Sequence, residues 1–390
     1  MNILLIHPHD LYSPSEPWTI RIKKFAQEFM KAGHSVTLVY FPLDPRQANR
    51  TFRDNGIRII ALDRRLGIWR LARNILKMTE LAGWADIIHF QKCYYYAALP
   101  ALIAGLLRDK PVHYDWDDWE TQIFYYSNPK YVFIGGFLDL FEKILPAAVS
   151  TVSVSSRYLR ELCIARGAAA ENVFIVPVGA DLEEFTPGKN GGLVRKKYNV
   201  KDKLVMYVGQ LHGGQYAELF IKSAKIITDC GSNDTTFMIV GDGYRLRELK
   251  CLARDLGVDK HCIFTASIPH QDVPHYMSEA DVCVACFEDN GITRCKSPLK
   301  IAEYLASGKA IVASKVGEVE NMLGGAGILV EAGRPEPLAE KISSVLSNES
   351  LRKEMGIKAR RQAERTYNWR VSSETLLKAY ENSLRHQGRV

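Results

Sequence analysis

Short apolar runs alternate with amphipathic segments along most of the chain. The runs NILLIH (2–7) and HSVTLVYF (34–41) have the length of buried strands, whereas residues 20–33 place apolar side chains at helical spacing and end at Gly33. Regular alternation of strand and helix is typical of a parallel sheet with helices on both faces. The pattern therefore predicts an α/β protein with parallel, doubly wound sheets.

The alternation restarts after a segment whose composition is typical of a linker. EEFTPGKNGG (183–192) contains Pro187 and three glycines, and the strand-like run DKLVMYVGQ follows it. A chain of 390 residues is also long for one hydrophobic core. We expect Rossmann-like domains over residues 1–183 and 184–365, with terminal helices over 366–390 that pack back toward the N-terminal domain.

Composition indicates a soluble protein, with 47% hydrophobic and 24% charged residues. No apolar stretch reaches the roughly 18 residues that a transmembrane helix needs, and the first residues lack a basic leader and a cleavage site, so we expect a cytoplasmic protein. Cys283 and Cys286 have CxxC spacing, but they lie in an apolar run without a second ligand pair. We predict reduced core cysteines and no metal site.

The net charge of +7 is concentrated in one segment. Residues 46–77 carry nine basic and two acidic side chains, which accounts for the whole excess. No nucleic-acid-binding module is recognisable, so we expect no nucleic-acid partner and favour an anionic membrane surface or a phosphorylated acceptor. Within it, LGIWRLARNILK (66–77) is a basic amphipathic helix that can lie on the inner face of a membrane or pack as an ordinary surface helix.

The segment SPLKIAEYLASGKAIVAS combines a helix start with charged side chains. Ser297 is a favoured capping residue, Pro298 suits the first helical position, and free backbone amides there would attract a diphosphate. Lys300 and Glu303 are three residues apart on one helical face, where they could bind a diphosphate and a ribose. A surface helix with a local Lys–Glu pair explains the segment equally well when it is taken alone.

Two glycine-bearing turns follow predicted strands in the same half. VGQLHGG lies between a strand and a helix, as phosphate-binding turns do, and the glycines of IVGDG would let the backbone approach a flat ligand. Ordinary turns without a ligand are the alternative. The candidates here are Gly209, Gln210, Gly213, Gly214, Gly241, Asp242 and Gly243.

Four carboxylates in HYDWDDWE (113–120) come at the end of a predicted strand. Asp115 and Asp117 are two residues apart, so they point the same way while the strand persists. Clustered carboxylates at a crevice-facing strand end can act as general bases or bind hydroxyl groups or metals, whereas a solvated acidic turn is the alternative. The two neighbouring tryptophans and the position favour a functional role.

Together these segments resemble the retaining glycosyltransferases of family 4, which have the GT-B fold. The likeness extends over essentially the whole chain and is strongest from about 150 to 335. It is carried by the order and spacing of four segments: VSVSSRYLRELCIARG with VFIVPVGADLEEFTPG; VGQLHGGQYAELFIKSA; FMIVGDGYRLRELKCLA with YMSEADVCVACFE; and SPLKIAEYLASGKAIVASKVGEVENML with GILVEAG.

The resemblance implies two facing Rossmann-like domains, a nucleotide-diphosphate sugar in the C-terminal one and an acceptor in the N-terminal one, with no cofactor or essential metal. Glu303 matches the family's ribose-binding Glu. Ser297, Pro298, Leu299 and Lys300 match the loop beside the donor diphosphate, and Gly241–Gly243 match the turn near the base. Asp117 falls where many members have a His that contacts the donor sugar.

The chain departs from the family pattern at charged positions. Cys295 replaces an earlier Glu, while Gln210 and Tyr216 align with the Arg and Lys that commonly neutralise the diphosphate. The turn after the first strand, HPHDLYSPSEPW, has no glycine. Charge compensation is then expected from Lys300, Arg294 and helix N-termini.

The resemblance predicts an enzyme that moves a sugar, with retention of configuration, to a glycan or lipid-linked acceptor in cell-surface polysaccharide or glycolipid synthesis. Lys300 and the helix start would stabilise the leaving diphosphate, Glu303 would fix the ribose, and Asp117 with Asp115 would orient the sugar or the acceptor. A GT-B sugar-nucleotide epimerase and a noncatalytic GT-B binding subunit are the alternatives, the latter because of Gln210, Tyr216 and Cys295.

Overall fold

The computed structural model describes residues 1–13, 16, 18–188, 191–200, 202–212, 216–232 and 234–386. The chain forms two compact units, one of Met1–Pro177 with Ser372–Val390 and one of Val178–Val371. The first boundary therefore precedes the predicted position after residue 183 by six residues. The second falls at 371, whereas the sequence placed it at 365.

The N-terminal unit is built around an eight-stranded sheet with the order β3-β4-β2-β1-β5-β6-β7-β8, in which only the pairing of β3 with β4 is antiparallel. Apolar side chains of the central strands are fully buried, as in Ile3–Ile6. Its elements are β1 (Asn2–His7), α1 (Ile20–Lys31), β2 (Ser35–Tyr40), β3 (Thr51–Asp54), β4 (Ile57–Ala61), α2 (Ile68–Trp84), β5 (Ile87–Gln91), α3 (Tyr95–Arg108), β6 (Val112–Trp116), α4 (Glu120–Ser127), α5 (Val132–Ala148), β7 (Thr151–Val154), α6 (Arg157–Ala165) and β8 (Val173–Ile175).

The second unit contains a six-stranded parallel sheet with the order β11-β10-β9-β12-β13-β14. Its strands are near-continuous apolar runs because helices cover both faces. Its elements are α7 (Leu193–Tyr198), β9 (Lys203–Val208), α8 (Ala217–Asp229), β10 (Thr235–Val240), α9 (Leu246–Asp255), β11 (Cys262–Phe264), α10 (Val273–Glu279), β12 (Val282–Ala285), α11 (Gly291–Arg294), α12 (Leu299–Ala306), β13 (Ala310–Ser314), α13 (Val319–Leu323), β14 (Ile328–Val330), α14 (Pro335–Leu346) and α15 (Glu349–Arg365), and α16 (Trp369–His386) ends the described chain.

Both sheets have a point where the strand order reverses. In the N-terminal unit, β1 is followed on one side by β2 and on the other by β5, and in the second unit β9 lies between β10 and β12. Ligands of doubly wound proteins bind at the carboxyl ends of the strands beside such a reversal. The residues that follow β1, β5, β9 and β12 are therefore the first places to look for chemistry.

The predicted fold class, two α/β domains with parallel sheets, is confirmed. The edge strand β3 and the helices α4 and α5 were not assigned from the sequence. The sequence TFRD of β3 is solvent-exposed at Thr51, Phe52 and Arg53, so it lacks the apolar alternation that reveals a strand. Cys283 and Cys286 are free, buried thiols in and just after β12.

Candidate functional site

In the second unit, two glycine turns pack against each other at the carboxyl ends of β9 and β10. The amide of Gly209 donates to the carbonyl of Val240 at 2.9 Å. Gly241 has a φ of 148°, and a β-carbon there would lie 1.9 Å from the carbonyl oxygen of Gly209. Only glycine fits this position, because any side chain would collide with the neighbouring turn.

The second glycine of the IVGDG turn is just as confined. A β-carbon on Gly243 would lie 2.3 Å from the carbonyl oxygen of Leu211, and its amide is bonded to the Asp242 side chain at 2.7 Å. Gln210 is half-buried directly after β9. The predicted residues Gly213 and Gly214 lie outside the described residues.

Lys300 lies beside these turns at the reversal point. A β-carbon on Gly209 would be 2.6 Å from its Nζ, so the ammonium group lies against the backbone at the end of β9. Nζ is also 4.1 Å from the centroid of the Tyr207 ring and 5.7 Å from that of Phe287. The side chain is buried, and the aromatic faces partly replace the lost hydration of the cation.

Burial lowers the pKa of Lys300 from 10.5 to about 7. The charge of Lys296 contributes to this lower value, whereas the Cys286 thiol and Glu303 oppose the shift. Desolvation disfavours the ammonium form, and an arriving anion would favour it. The site therefore combines a cation that is poorly hydrated with glycine turns that admit a ligand close to the backbone, which suits a phosphate group.

The helix α12 carries Lys300 and Glu303 but begins one residue later than predicted. Pro298 occupies the position before its first residue, Leu299, and Ser297 donates its hydroxyl to the sulfur of Met322 at 3.6 Å. Ser297 therefore does not cap the helix, which corrects the prediction. Proline has no side-chain acceptor, so α12 starts without a side-chain cap, and the amide of Ile301 donates to the carbonyl of Pro298 at 3.0 Å.

Glu303 is held by a residue that the sequence did not single out. The Nε2 of His270 lies 2.9 Å from Oε1 of Glu303, and the His270 ring contacts Phe185. Glu303 itself is buried, whereas His270 is partly exposed. His270 lies between β11 and α10, in a segment that the sequence did not assign to a helix or a strand. No motif there could have identified His270 from the sequence.

Arg294 lies at the end of α11 and is already engaged. Its guanidinium contacts both carboxylate oxygens of Asp289, at 2.6 and 2.9 Å. Asn290, the residue before α11, caps this helix, and its side-chain amide also donates to the hydroxyl of Tyr216. Tyr216 is buried with a left-handed φ of 39°, a strained conformation for an aromatic residue that clusters at functional sites.

In the N-terminal unit, Asp115 lies inside the core and not on an open crevice. Arg21 donates two hydrogen bonds to its carboxylate, both at 2.8 Å, and Ser153 donates a third at 2.6 Å. Burial alone would raise the pKa of Asp115, but the Arg21 guanidinium and these bonds lower it well below its usual value. This arrangement favours a structural ion pair, in contrast to the predicted role beside Asp117.

Asp117 belongs to a different network, at the reversal point between β1 and β5. The side-chain amide of Gln91 accepts from Nδ1 of His7 at 2.7 Å and donates to Oδ2 of Asp117 at 2.8 Å. Since the amide nitrogen faces the carboxylate, its oxygen faces His7, which fixes the proton on Nδ1 of the imidazole. Burial raises the pKa of Asp117, against the opposing charge of Lys92.

Lys92 is the cation of this acidic cluster. It is buried, has a left-handed φ of 63°, and places Nζ 3.3 Å from Asp117, 3.9 Å from Asp118 and in contact with Glu120. Burial raises the pKa of Glu120 to about 7; the Lys92 ammonium opposes this shift, whereas the carboxylates of Asp118 and Asp117 add to it. Three carboxylates against one ammonium leave the cluster with excess negative charge, so it suits hydroxyl groups or a cationic group.

A second group of charges lies on the same side of the reversal point. Nδ1 of His9 is 3.2 Å from Glu16, which also receives Arg64 at 3.0 Å. Burial lowers the pKa values of both His7 and His9. His89, by contrast, stacks on His113 and bonds the Tyr380 hydroxyl, so it packs within the core.

Family models match both units of this chain. Residues 19–179 match the glycosyl transferase 4-like domain, and residues 193–362 match the glycosyl transferases group 1 domain. The chain belongs to the group 1 glycosyl transferases. The glycine turns, Lys300 and Glu303 all lie within the second matched region.

The chain is similar over part of its length to two curated relatives. It is 25% identical over 220 residues to a D-inositol 3-phosphate glycosyltransferase of Corynebacterium jeikeium, covering 53% of this chain and 51% of the relative. It is 26% identical over 231 residues to a GDP-mannose-dependent alpha-(1-6)-phosphatidylinositol monomannoside mannosyltransferase of Mycolicibacterium smegmatis, covering 58% and 60%. The match thus spans only about half the length of these relatives.

Solved structures share the fold over the whole chain. Sucrose-phosphate synthase from Thermosynechococcus elongatus has a TM-score of 0.75 at 18% identity, covering 99% of this chain and all of that one. HepE from Anabaena, solved in complex with UDP-glucose, has a TM-score of 0.72 at 16% identity and full coverage of both chains. These similarities establish the GT-B fold of this group 1 glycosyl transferase.

Proposed function

We propose that the protein transfers a sugar, with retention of configuration, from a nucleotide-diphosphate sugar to a glycan or lipid-linked acceptor. The observation that carries the proposal is the position of Lys300. Its buried ammonium group lies beside the turn at Gly209, at the strand-order reversal of the second unit. A cation that is desolvated before the ligand arrives can stabilise the charge that develops on a leaving diphosphate.

Each group in the second unit has a defined task in this proposal. The turns at Gly209 and Gly241 admit the nucleotide close to the backbone. The uncapped start of α12 and Lys300 bind the diphosphate, and Glu303 accepts hydrogen bonds from the ribose hydroxyls. As the bond between the sugar and the diphosphate breaks, its electron pair passes to the diphosphate, which Lys300 stabilises. The acceptor hydroxyl forms the new bond to the sugar carbon from the same face and gives its proton to the leaving diphosphate.

The N-terminal unit supplies groups suited to an acceptor. A surface groove of about 600 Å³ at the carboxyl end of β2 is lined by Tyr12, Tyr40, Gln47, Arg50, Thr51 and Phe52. Aromatic rings beside a guanidinium and an amide suit the apolar faces and hydroxyl groups of a saccharide. We propose that this groove and the Asp117 cluster bind the acceptor.

The activities of the relatives support this assignment. One uses GDP-mannose and acts on a phosphatidylinositol mannoside, and one of the neighbours in fold was solved with UDP-glucose. A nucleotide-sugar donor and a glycan or lipid-linked acceptor are therefore proposed for this chain as well, in cell-surface polysaccharide or glycolipid synthesis at the cytoplasmic side of a membrane.

A donor screen followed by product analysis tests the proposal. UDP-, GDP- and ADP-sugars are first screened for an increase in Tm, because a ligand of the folded state raises apparent stability. The stabilising donor is then incubated with candidate acceptors, and the anomeric configuration of the product is read by NMR. A product with the donor's anomeric configuration is expected. A changed donor sugar without transfer would indicate an epimerase, and stabilisation by no donor would favour a binding subunit.

A further inference from the structure

One helix of the N-terminal unit exposes a row of large apolar side chains. On α5, Phe133, Phe137, Leu140 and Ile144 follow each other at helical spacing and share one face. Their exposed fractions are 96%, 49%, 51% and 54%. Soluble proteins rarely leave a contiguous apolar surface of this kind uncovered, so the face marks a docking surface.

The opposite side of α5 is fixed in the core. Leu138 and Leu145 are buried, and the carboxylate of Glu142 accepts hydrogen bonds from the Trp116 indole and the amide of Glu120, at 2.9 and 2.8 Å. The helix therefore cannot turn its outer face inward without breaking these contacts. The exposed row belongs to the folded surface.

The same side of the sheet carries further exposed apolar residues. The steps from β4 to β5, β5 to β6 and β6 to β7 run in one direction along the sheet, so right-handed crossovers place α2, α3 and α5 on one face. Tyr95 at the start of α3 contacts Phe137 of α5, with ring centroids 5.7 Å apart. At the start of α2, Trp69 is 84% exposed.

Charge distinguishes a membrane from other occupants of this surface. On α5 the exposed Lys143 is neutralised by Asp139, so the row itself carries little charge. On α2, the exposed Arg73 shares a helical face with Trp69 and Leu76. Large apolar side chains next to cations suit an anionic bilayer. A second copy paired by twofold symmetry would bring identical cations together.

The charge of the basic segment, residues 46–77, is by itself a weaker basis for membrane contact. Five of its nine cations contact carboxylates: Arg46, Arg64, Arg65, Arg70 and Lys77. Within the part of the chain that the structure describes, no helix combines the length and apolar character needed to cross a bilayer. Contact with a membrane would therefore depend on apolar side chains that enter its surface.

We propose that the outer face of α5, together with the start of α2, inserts into the headgroup region of an anionic lipid bilayer. The apolar side chains contribute the binding energy, and Arg73 selects anionic lipid. This extends the membrane contact predicted for residues 46–77 to a helix that the sequence analysis did not assign. The inference does not depend on the proposed sugar transfer, because vesicle binding requires neither donor nor acceptor.

Vesicle sedimentation tests the inference with the full chain. The wild type should sediment with vesicles of phosphatidylcholine and phosphatidylglycerol, and more weakly with phosphatidylcholine alone. The double variant Phe133→Ser/Phe137→Ser should lose roughly tenfold or more in partitioning, since each benzyl group removed leaves less apolar area to bury. The matched control Leu193→Ser/Ile357→Ser removes exposed apolar side chains from the second unit and should bind as the wild type does.

A second variant reports directly whether α5 enters the bilayer. Phe133→Trp keeps an aromatic side chain at the most exposed position of α5, and the change in its fluorescence is measured against wild type. A blue shift on adding anionic vesicles is expected. Failure of the wild type to bind vesicles would overturn the inference. So would a concentration-dependent dimer, detected by analytical ultracentrifugation, that the Phe133→Ser/Phe137→Ser variant abolishes, because the occupant would then be a second copy.

Discussion

The imidazole of His270 and the carboxylate of Glu303 are joined by a hydrogen bond of 2.9 Å. Glu303 is the residue proposed to bind the ribose, and its burial means that its position depends on the few groups around it. His270 comes from the loop before α10, whereas Glu303 comes from α12. Two separate elements of the second unit thus determine where the carboxylate points.

Replacing His270 tests whether it positions Glu303. His270→Ala should raise the KM for the donor roughly tenfold with little change in kcat, because a misplaced carboxylate weakens ribose binding more than the chemical step. His270→Gln should restore most of the affinity, since its amide can donate at a similar reach. Steady-state kinetics on both variants decides. A fall in kcat as large as the rise in KM, or no recovery of affinity in His270→Gln, would contradict the positioning role.

Lys300 should make donor binding depend on pH. Its pKa of about 7 in the free protein means that the ammonium form is lost as the pH rises above 7, whereas a bound diphosphate holds the proton. Donor binding then takes up a proton, and the Kd should rise by up to about tenfold per pH unit between pH 7 and 9. Calorimetry at several pH values measures this. Lys300→Arg, which stays charged, should show a flat profile, and a flat wild-type profile would refute the shift.

The packing of the two glycine turns predicts a large loss of stability for Gly241→Ala. The new methyl group would collide with the carbonyl of Gly209, and the φ of 148° disfavours any side chain. We expect a loss of about 2 kcal/mol or more in the free energy of unfolding, measured with urea. Gly136→Ala is the control: its β-carbon meets open space in helix α5, and it should gain roughly 0.5–1 kcal/mol.

Removing Lys92 should destabilise the N-terminal unit in a pH-dependent way. Lys92→Met leaves buried carboxylates without their cation, which costs about 3 kcal/mol at pH 8. Burial already raises the pKa values of Asp117 and Glu120 in the folded state, and without the ammonium both rise further above those in the unfolded chain. The penalty therefore grows as the pH rises and shrinks toward pH 5. Urea unfolding of both proteins at pH 5 and pH 8 checks the sign, and an equal penalty at both would contradict it.

The strands and the turns beside them could be predicted because their signals are local. Buried parallel strands such as β1 and β9 are continuous apolar runs, and the turns at Gly209 and Gly241 follow directly after them. The Lys300–Glu303 pair also lies within one helix turn. Only the exact start of α12 differs from the prediction. Pro298 occupies the capping position, whereas the sequence favours Ser297 there.

The remaining contacts join residues far apart in sequence. Arg21 meets Asp115 across 94 positions, and a lone arginine in an amphipathic helix gives no hint of that partner. Gln91 ends β5 and Lys92 follows it, and neither belongs to a recognisable motif, so their link to Asp117 depends on the neighbouring positions of β5 and β6. The exposure of the apolar face of α5 could not be predicted either, since a strongly apolar helical sequence normally indicates a buried helix.

Calorimetric titration of UDP, GDP and ADP into the wild type and Glu303→Ala tests the donor site most directly. We expect at least one nucleoside diphosphate to bind the wild type, and Glu303→Ala to weaken that binding roughly tenfold by removing a ribose contact. The control Glu320→Ala, which removes an exposed carboxylate paired with Lys315, should leave the Kd unchanged. Binding of none of the three nucleotides, or equal affinity in Glu303→Ala and the wild type, would contradict the assignment.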